Sequence, residues 1–402
     1  MKDWQLEDFP VPEVEGKDRF HDFALPTPLM HGIADLGFEY CTPIQSRVLP
    51  YSLADYDVTG QAQTGTGKTA AFLVTVLTRF WENPVEDQPL GAPRALVLAP
   101  TRELAMQIEG DAKGLAKYMD ERTVCVVGGI DIQAQLNKLE KKPVDILVAT
   151  PGRLIDFLER RAVNLRSVEC LVIDEADRML DMGFIPDVRR IVYQTPHKRD
   201  RQTLFFSATF NDDVMRLANS WTTDPEHIVI EPEHVATDTV EQKFWMISAD
   251  AKNESLAKII TQTDRAIVFT NRRDQTHRVV KYLQKKDINC EALAGDIPQR
   301  KRMATLNRFK EGTTNYLIAT DVAGRGIHVD GVSHVINYEL PEDPEDYVHR
   351  IGRTGRAGAT GISISFVSED DAFNLPAIEE YLGAKVDCTL PDLDNIELDK
   401  NV

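Results

Sequence analysis

Ala62-Gln63-Thr64-Gly65-Thr66-Gly67-Lys68-Thr69 is the stretch that decides the fold of this chain. Its glycines let the backbone turn sharply and approach an anion closely. The Lys-Thr that follows brings an ammonium and a hydroxyl to the same place. Such a loop cradles a phosphate chain, with peptide N–H groups and Lys68 on the phosphate oxygens and the Thr69 hydroxyl on Mg²⁺. The general pattern opens on glycine, and Ala62 stands there instead. Gly65, Thr66, Gly67, Lys68 and Thr69 therefore carry the assignment. Residues around Val58 read as the strand entering the loop. Ala70–Thr78 reads as the helix whose N-terminus faces the phosphates.

Downstream, the apolar run Leu171-Val172-Ile173 leads into Asp174-Glu175-Ala176-Asp177. An acidic pair after a strand is, by itself, as good a helix N-cap as a site. Behind a phosphate loop it reads as a Mg²⁺ partner, Asp174, beside a water-activating base, Glu175. A third stretch, His349-Arg350-Ile351-Gly352-Arg353-Thr354-Gly355-Arg356, sets Arg353 and Arg356 about one helical turn apart, so both can face one phosphate. They reach the γ-phosphate bound by Lys68 only if a second lobe folds back onto the first. ATP would then hold the lobes together, and its hydrolysis could become movement.

The chain between these motifs alternates short apolar runs with longer amphipathic stretches. In the first half the runs are Ala95–Ala99, Val124–Val127, Ile146–Ala149, Leu171–Ile173, Thr203–Phe206 and Ile228–Ile230. In the second they are Phe244–Ile247, Ala266–Phe269, Glu291–Leu293, Tyr316–Ala319, His334–Asn337 and Gly361–Val367. Continuous apolar runs indicate strands buried on both faces, as in parallel sheets. The expectation is α/β, two doubly wound lobes. The segments are a flexible acidic N-terminus (1–17), a region ahead of the phosphate-loop lobe (18–46), an ATP-binding lobe (47–230), a polar linker (231–240), a C-terminal lobe (241–385) and an acidic tail (386–402), which opens on a last strand or helix.

Net charge is −18 over 402 residues. It opposes long-range attraction of nucleic acid but leaves room for a local basic groove. Basic clusters such as Arg272 to Lys286 and Arg300 to Lys310 read first as solvated helix faces. The five cysteines are scattered without a Cys-x-x-Cys, so neither a disulfide framework nor a zinc site is expected. No apolar h-region opens the chain and no apolar run reaches ~20 residues. A cytoplasmic protein with no membrane partner is expected.

Taken together the motifs resemble the DEAD-box ATP-dependent RNA helicases, from about Phe20 to about Gly383. Phe20, with Gly37-Phe38-Glu39-Tyr40-Cys41-Thr42-Pro43-Ile44-Gln45, is similar to that family's adenine-reading motif. Pro100-Thr101-Arg102-Glu103-Leu104, Gly128-Gly129 and Thr150-Pro151-Gly152-Arg153 resemble its first-lobe RNA contacts. Ser207-Ala208-Thr209 resembles the segment that links hydrolysis to unwinding. Val268-Phe269-Thr270-Asn271, Gln299 to Arg302 and Ala319-Thr320-Asp321 resemble its second-lobe motifs.

The resemblance implies two RecA-like P-loop NTPase lobes of helicase superfamily 2, with ATP and Mg²⁺ as cofactors and RNA held by its backbone. It implies that Gln45 reads adenine through an amide that both donates and accepts, and that Phe20 or Phe38 supplies a stacking wall. Lys68, Glu175, Arg353 and Arg356 would be catalytic, while Asp177, Ser207, Thr209 and His349 would couple hydrolysis to movement. RNA would meet Pro100, Thr101, Arg102, Gly129, Thr150, Gly152, Arg153, Asn271, Arg302 and Thr320. The arginines among them either touch RNA or make internal ion pairs.

Glu345-Asp346-Tyr347-Val348 and Asn374-Leu375-Pro376-Ala377-Ile378-Glu379 resemble the subgroup found in bacterial RNA degradosomes, implying a scaffold endoribonuclease as partner. His328 stands where many relatives carry the aspartate that contacts the nucleotide ribose, and it is expected to face that ribose. The tail is acidic where that subgroup often has a basic one. Two rivals keep the same motifs: an ATP-controlled RNA clamp or scaffold subunit with little unwinding, and a DNA translocase. The adenine-reading motif and Ser207–Thr209 argue against the second.

Overall fold

Seven of the apolar segments in the first half pair into one all-parallel sheet in the computed structural model, which describes residues 4–63, 65–230, 240–321, 331–355 and 360–392. They are β1 (Val58–Gln61), β2 (Ala95–Leu98), β3 (Thr123–Val126), β4 (Ile146–Ala149), β5 (Cys170–Ile173), β6 (Gln202–Ser207) and β7 (Glu226–Val229), in the order β3-β4-β2-β5-β6-β1-β7. The period of two sends alternate side chains to opposite faces. Leu204 and Phe206 enter one core, with Phe72 and Val97, while Phe205 enters the other, with Leu171 and Trp221. Helices cover both faces, which is why the strands lack polar alternation.

The second half repeats the plan. β8 (Val240–Met246), β9 (Ala266–Thr270), β10 (Cys290–Leu293), β11 (Tyr316–Thr320), β12 (His334–Asn337), β13 (Gly361–Val367) and β14 (Cys388–Thr389) form a second parallel sheet ordered β10-β11-β9-β12-β13-β8-β14. The chain divides into two compact units, Met1–Glu231 and Pro232–Val402. Every apolar run named above lies within a strand or passes its end by at most one residue. The open choice after Lys385 resolves as the two-residue strand β14.

The N-terminal segment departs from the flexible expectation. From Trp4 onward it lies along the first unit. The Trp4 ring stacks on His31 at 4.6 Å, Val11 is buried, and the Tyr40 hydroxyl donates to the Pro12 carbonyl at 2.9 Å. A net acidic composition hid three apolar anchors, Trp4, Phe9 and Val11, whose burial offsets the ordering cost.

Among the described residues no helix is long and apolar enough to cross a membrane. All five cysteines are free, and burial pushes the Cys125 and Cys170 thiols up to about 12, which makes them inert.

Candidate functional site

Strand order sorts the first-unit motifs. All but the adenine-reading motif, which precedes β1, follow the carboxyl end of a strand, the edge where open parallel sheets bind ligands. The adjacent strands β5, β6 and β1 carry Asp174–Asp177, Ser207–Thr209 and the phosphate loop. Their neighbours β3, β4 and β2 carry Gly128-Gly129, Thr150–Arg153 and Pro100–Arg102. One edge therefore holds a phosphate half and a second, basic half.

In the phosphate half, Gly65 (φ 88°) and Gly67 (φ 94°) take left-handed conformations, and Gly67 caps the helix Lys68–Glu82. A Cβ on Gly67 would lie 2.5 Å from Gln45 Nε2, so the position excludes a side chain twice over. The buried Lys68 ammonium donates to the Ala62 carbonyl at 2.5 Å and the Gln63 carbonyl at 3.2 Å. It is folded over the loop where phosphate oxygens would replace those carbonyls. Thr66 Oγ1 donates to Gln63 at 2.8 Å and tightens the turn. Thr69 is half-exposed at the first turn of the helix.

The Gln45 amide is buried and occupied on both sides. Its Oε1 accepts from Thr42 N–H at 2.8 Å, and its Nε2 donates to the Gly67 carbonyl at 3.0 Å. It is a capping-box residue that braces the phosphate loop, and adenine could be read only after exchange of one of those bonds. Phe20 has no exposed surface and packs in the core, so it cannot present a stacking face here. Phe38, 6.5 Å away and 37% exposed, is the ring open to solvent.

The acidic motif concentrates buried charge. Asp174 is buried, and desolvation, with repulsion from Glu175 and Asp177, raises its pKa against the opposing pull of Lys68. Glu175 adopts φ 52°, ψ 55°, a left-handed conformation that costs a non-glycine residue ~1–2 kcal/mol. Its Oε2 accepts from Arg178 Nη1 at 3.1 Å, and both side chains are buried. Arg178 is a site residue that the sequence reading missed; its spacing of three from Glu175 was the available signal.

Asp177 ties this motif to β6. Its Oδ2 accepts from Ala208 N–H and Thr209 N–H, both at 3.0 Å, and from Thr209 Oγ1 at 3.3 Å, while Ser207 Oγ accepts from Asp177 N–H at 3.1 Å. A movement of the carboxylate motif must therefore be felt at Ser207–Thr209.

In the basic half, Arg102 lies over Gly128, and both guanidinium nitrogens of Arg153 donate to the Ile130 carbonyl at 3.2 and 3.3 Å. Burial lowers the Arg153 pKa. Repulsion from Arg102 adds to this, against the pull of Asp156, so the two cations sense each other. Gly129 and Gly152 are exposed. A Cβ on Gly152 would meet nothing within 4 Å, so internal packing does not demand glycine there. Close approach of a ligand would. Thr101 is a buried N-cap accepting from Leu104 N–H at 3.3 Å, and Pro100 and Thr150 are buried too. Glycine backbone and arginine, not hydroxyls, form the open surface.

In the second unit the arginine motif divides. Arg350 is 1% exposed. It meets Asp321 through Nε and Nη2, both at 2.6 Å, and donates to the Glu339 carbonyl at 2.6 Å and Asn271 Oδ1 at 2.7 Å. The Asn271 amide also donates to the Leu340 carbonyl at 2.9 Å. Asn271 is thus a structural link between β9 and the arginine helix (Pro344–Ile351). Arg353 is buried and donates through Nε to the His349 carbonyl at 3.0 Å. His349 lies within 3.9 Å of Glu345 and 3.8 Å of Asp346. Arg302 and Thr320 are buried. Arg356 and His328 lie outside the described residues, as do most of the linker and the end of the tail.

Two seven-stranded parallel units with a phosphate loop and a Mg²⁺-type acidic motif define a nucleotide hydrolase with two RecA-like lobes. The DEAD/DEAH box helicase family matches residues 42–217, and the helicase conserved C-terminal domain matches 251–358. The chain is 57% identical over 380 residues to the ATP-dependent RNA helicase RhlB of Pseudomonas aeruginosa, covering 94% of this chain and 96% of that one. RhlB of Pseudomonas putida matches equally, 57% with the same coverage. Among solved structures, Dbp5 of S. cerevisiae bound to RNA and ADP BeF3 superposes with a TM-score of 0.82 at 32% identity, over 94% of this chain and 96% of that one. This chain belongs to the DEAD-box family of ATP-dependent RNA helicases and is an ATP-hydrolysing enzyme.

Proposed function

We propose that this helicase opens short RNA duplexes locally, by ATP-driven closure of its two lobes, and that it acts in cytoplasmic RNA degradation. The observation that carries the reading is the bonding of Asp177 to Ala208 and Thr209, which couples the carboxylate motif to the segment after β6. Glu175 takes a proton from the attacking water. Lys68 holds the β and γ phosphates. Arg353 and Arg356 meet the γ-phosphate from the second lobe; a finger of this type is worth ~10³–10⁵ in rate. Asp174 and Thr69 would hold Mg²⁺, which supplies positive charge to the phosphates. A buried carboxylate crowded by two others fits a cation.

RNA runs over Gly129, Gly152, Arg102 and Arg153 through its phosphates and sugars, which fixes register without reading sequence. DNA stacking is worth about 1.4 kcal/mol per step. If RNA is similar, bending a strand across this edge breaks a few steps, which suits local melting better than processive travel. Likeness to the RhlB proteins supports the helicase reading, and the partner that the degradosome-like motifs Glu345–Val348 and Asn374–Glu379 suggest is a scaffold endoribonuclease. ATPase activity measured beside unwinding of a short RNA duplex tests the reading. RNA-stimulated turnover without strand separation would make the protein an RNA clamp. Equal stimulation by DNA would remove the RNA preference.

A further inference from the structure

The opposite end of the first sheet carries a cavity of about 580 Å³ that none of the motifs reaches. Its walls are the last turns of the helices Ile185–Val192 and Asp212–Trp221, with residues 193–201 that lead into β6. Covering helices run back against parallel strands, so this is the amino edge of the sheet, away from the phosphate loop.

Arg189, Lys198, Arg201, Arg216 and His197 line the cavity, and no Asp or Glu does. That is an unexpected concentration in a chain of net charge −18. Two of the cations are placed by carbonyls. Lys198 donates to Asn219 at 3.1 Å and Thr222 at 2.7 Å; Arg201 donates to Pro196 at 2.5 Å and Trp221 at 3.4 Å. Carbonyl acceptors orient a cation without cancelling its charge. Arg216 has an exposed pairing with Asp213 at 3.2 Å, of a kind worth little. Buried Asp57 offsets Arg201 and Lys198 in part from behind, with its oxygens occupied by the Thr203 and Thr223 amides. At the rim Tyr193 is 87% exposed. Little of its ring is used by the fold.

Fixed cations beside an open aromatic ring match a single-stranded nucleic acid, which offers a phosphate to the one and a base to the other. An acidic peptide would use the cations and leave the ring idle. We propose that this cavity is an accessory site for single-stranded RNA, with phosphates on Arg189, Lys198 and Arg216 and a base on Tyr193. It takes from the proposed function only that RNA is the polymer bound. A strand tethered here raises the local RNA concentration at the motif edge, which an acidic chain otherwise lacks.

The test uses the full chain and fluorescence anisotropy with two labelled oligouridylates, one short enough to cover only the motif edge and one long enough to reach both sites. Tyr193→Ala should weaken the long strand roughly tenfold, from the loss of one stacked base, and Tyr193→Phe should retain affinity. Arg189→Ser with Arg216→Ser should reduce the long-strand salt slope by about 1.4, at ~0.7 per cation on a single strand. Short-strand binding and its ATPase stimulation should not change. Equal losses for both lengths, or none for the long strand, would overturn the proposal. So would polyglutamate that displaces long RNA while Tyr193→Ala leaves RNA affinity intact, because the cavity would then belong to an acidic peptide. A parent chain that binds neither strand would sink the RNA reading itself along with this site. Intact short-strand binding confines the failure to the cavity.

Discussion

The two units share one fold but treat their buried charges differently. At the strand ends of the first, Asp174, Glu175 and Asp177 crowd together, and Asp174 keeps a raised pKa although Lys68 and the Glu175 N–H, which donates to its Oδ1 at 3.0 Å, pull against it. At the strand ends of the second, Arg350 closes on Asp321 with two bonds and takes three further acceptors, which satisfies the buried guanidinium from within the unit. The first arrangement is incomplete without a ligand's charges. The second needs none. Burial of charge marks a binding site only where the charge is not balanced internally.

The contrast breaks most directly at Glu175. Glu175→Gln keeps the volume and the neighbours but cannot accept a proton from water, so kcat should fall by ~10²–10⁴ while ATP and RNA binding persist. Single-turnover hydrolysis beside equilibrium binding checks this, and parental turnover would remove Glu175 from the base role.

Arg350 and Arg353 lie one turn apart and should fail differently. Arg350→Ala leaves the half-buried Asp321 and the buried acceptors around it unpaired and should cost up to ~3–5 kcal/mol of second-unit stability, seen as an early urea transition. Arg353→Ala should chiefly lower kcat. A stable Arg350→Ala protein would show that the second unit does not rest on this network.

Asp174 separates stability from activity in the first unit. Its folded pKa is raised, so the folded site binds its proton more tightly than the unfolded chain, and the penalty grows as pH rises above the ordinary carboxylate range. Asp174→Asn removes the charge. At pH 8 its melting temperature should rise by about 2–4 °C for each kcal/mol relieved, while Mg²⁺-dependent hydrolysis is lost. A lower melting temperature would mean that Lys68 already compensates the charge.

The smallest effect belongs to Glu291, whose pKa the Arg308 guanidinium, with Thr305 and Thr314, lowers to about 2. A depressed carboxylate contributes stability above its unfolded value and loses it as pH falls from about 4.5 to about 2. Glu291→Gln should flatten that dependence in acid melts of the second unit. Because Arg308 is partly exposed, the change should be under about 1 kcal/mol.

Legibility followed the range of the interaction. Apolar runs and turn glycines act locally, so both sheets, the phosphate loop and the acidic motif could be read along the chain. Roles that depend on residues distant in sequence could not. Nothing along the chain shows that Asn271, given an RNA role by resemblance, also accepts from Arg350 once β9, β11 and the arginine helix converge. Thr101 reads as an RNA hydroxyl until its helix starts and takes it as a cap. Phe20 reads as a stacking ring until the core closes over it.

By itself the sequence determined the fold class, the order of the motifs and the chemistry of phosphate binding, because these rest on periodicity and on the fixed capacities of Gly, Lys, Asp and Arg. Only the tertiary structure decided which charges are balanced and which await a ligand. It alone brought Arg189, Tyr193, Lys198 and Arg216 to one amino-edge cavity. Those residues share no local pattern, and the field they make depends on a spacing in three dimensions that the chain order does not contain.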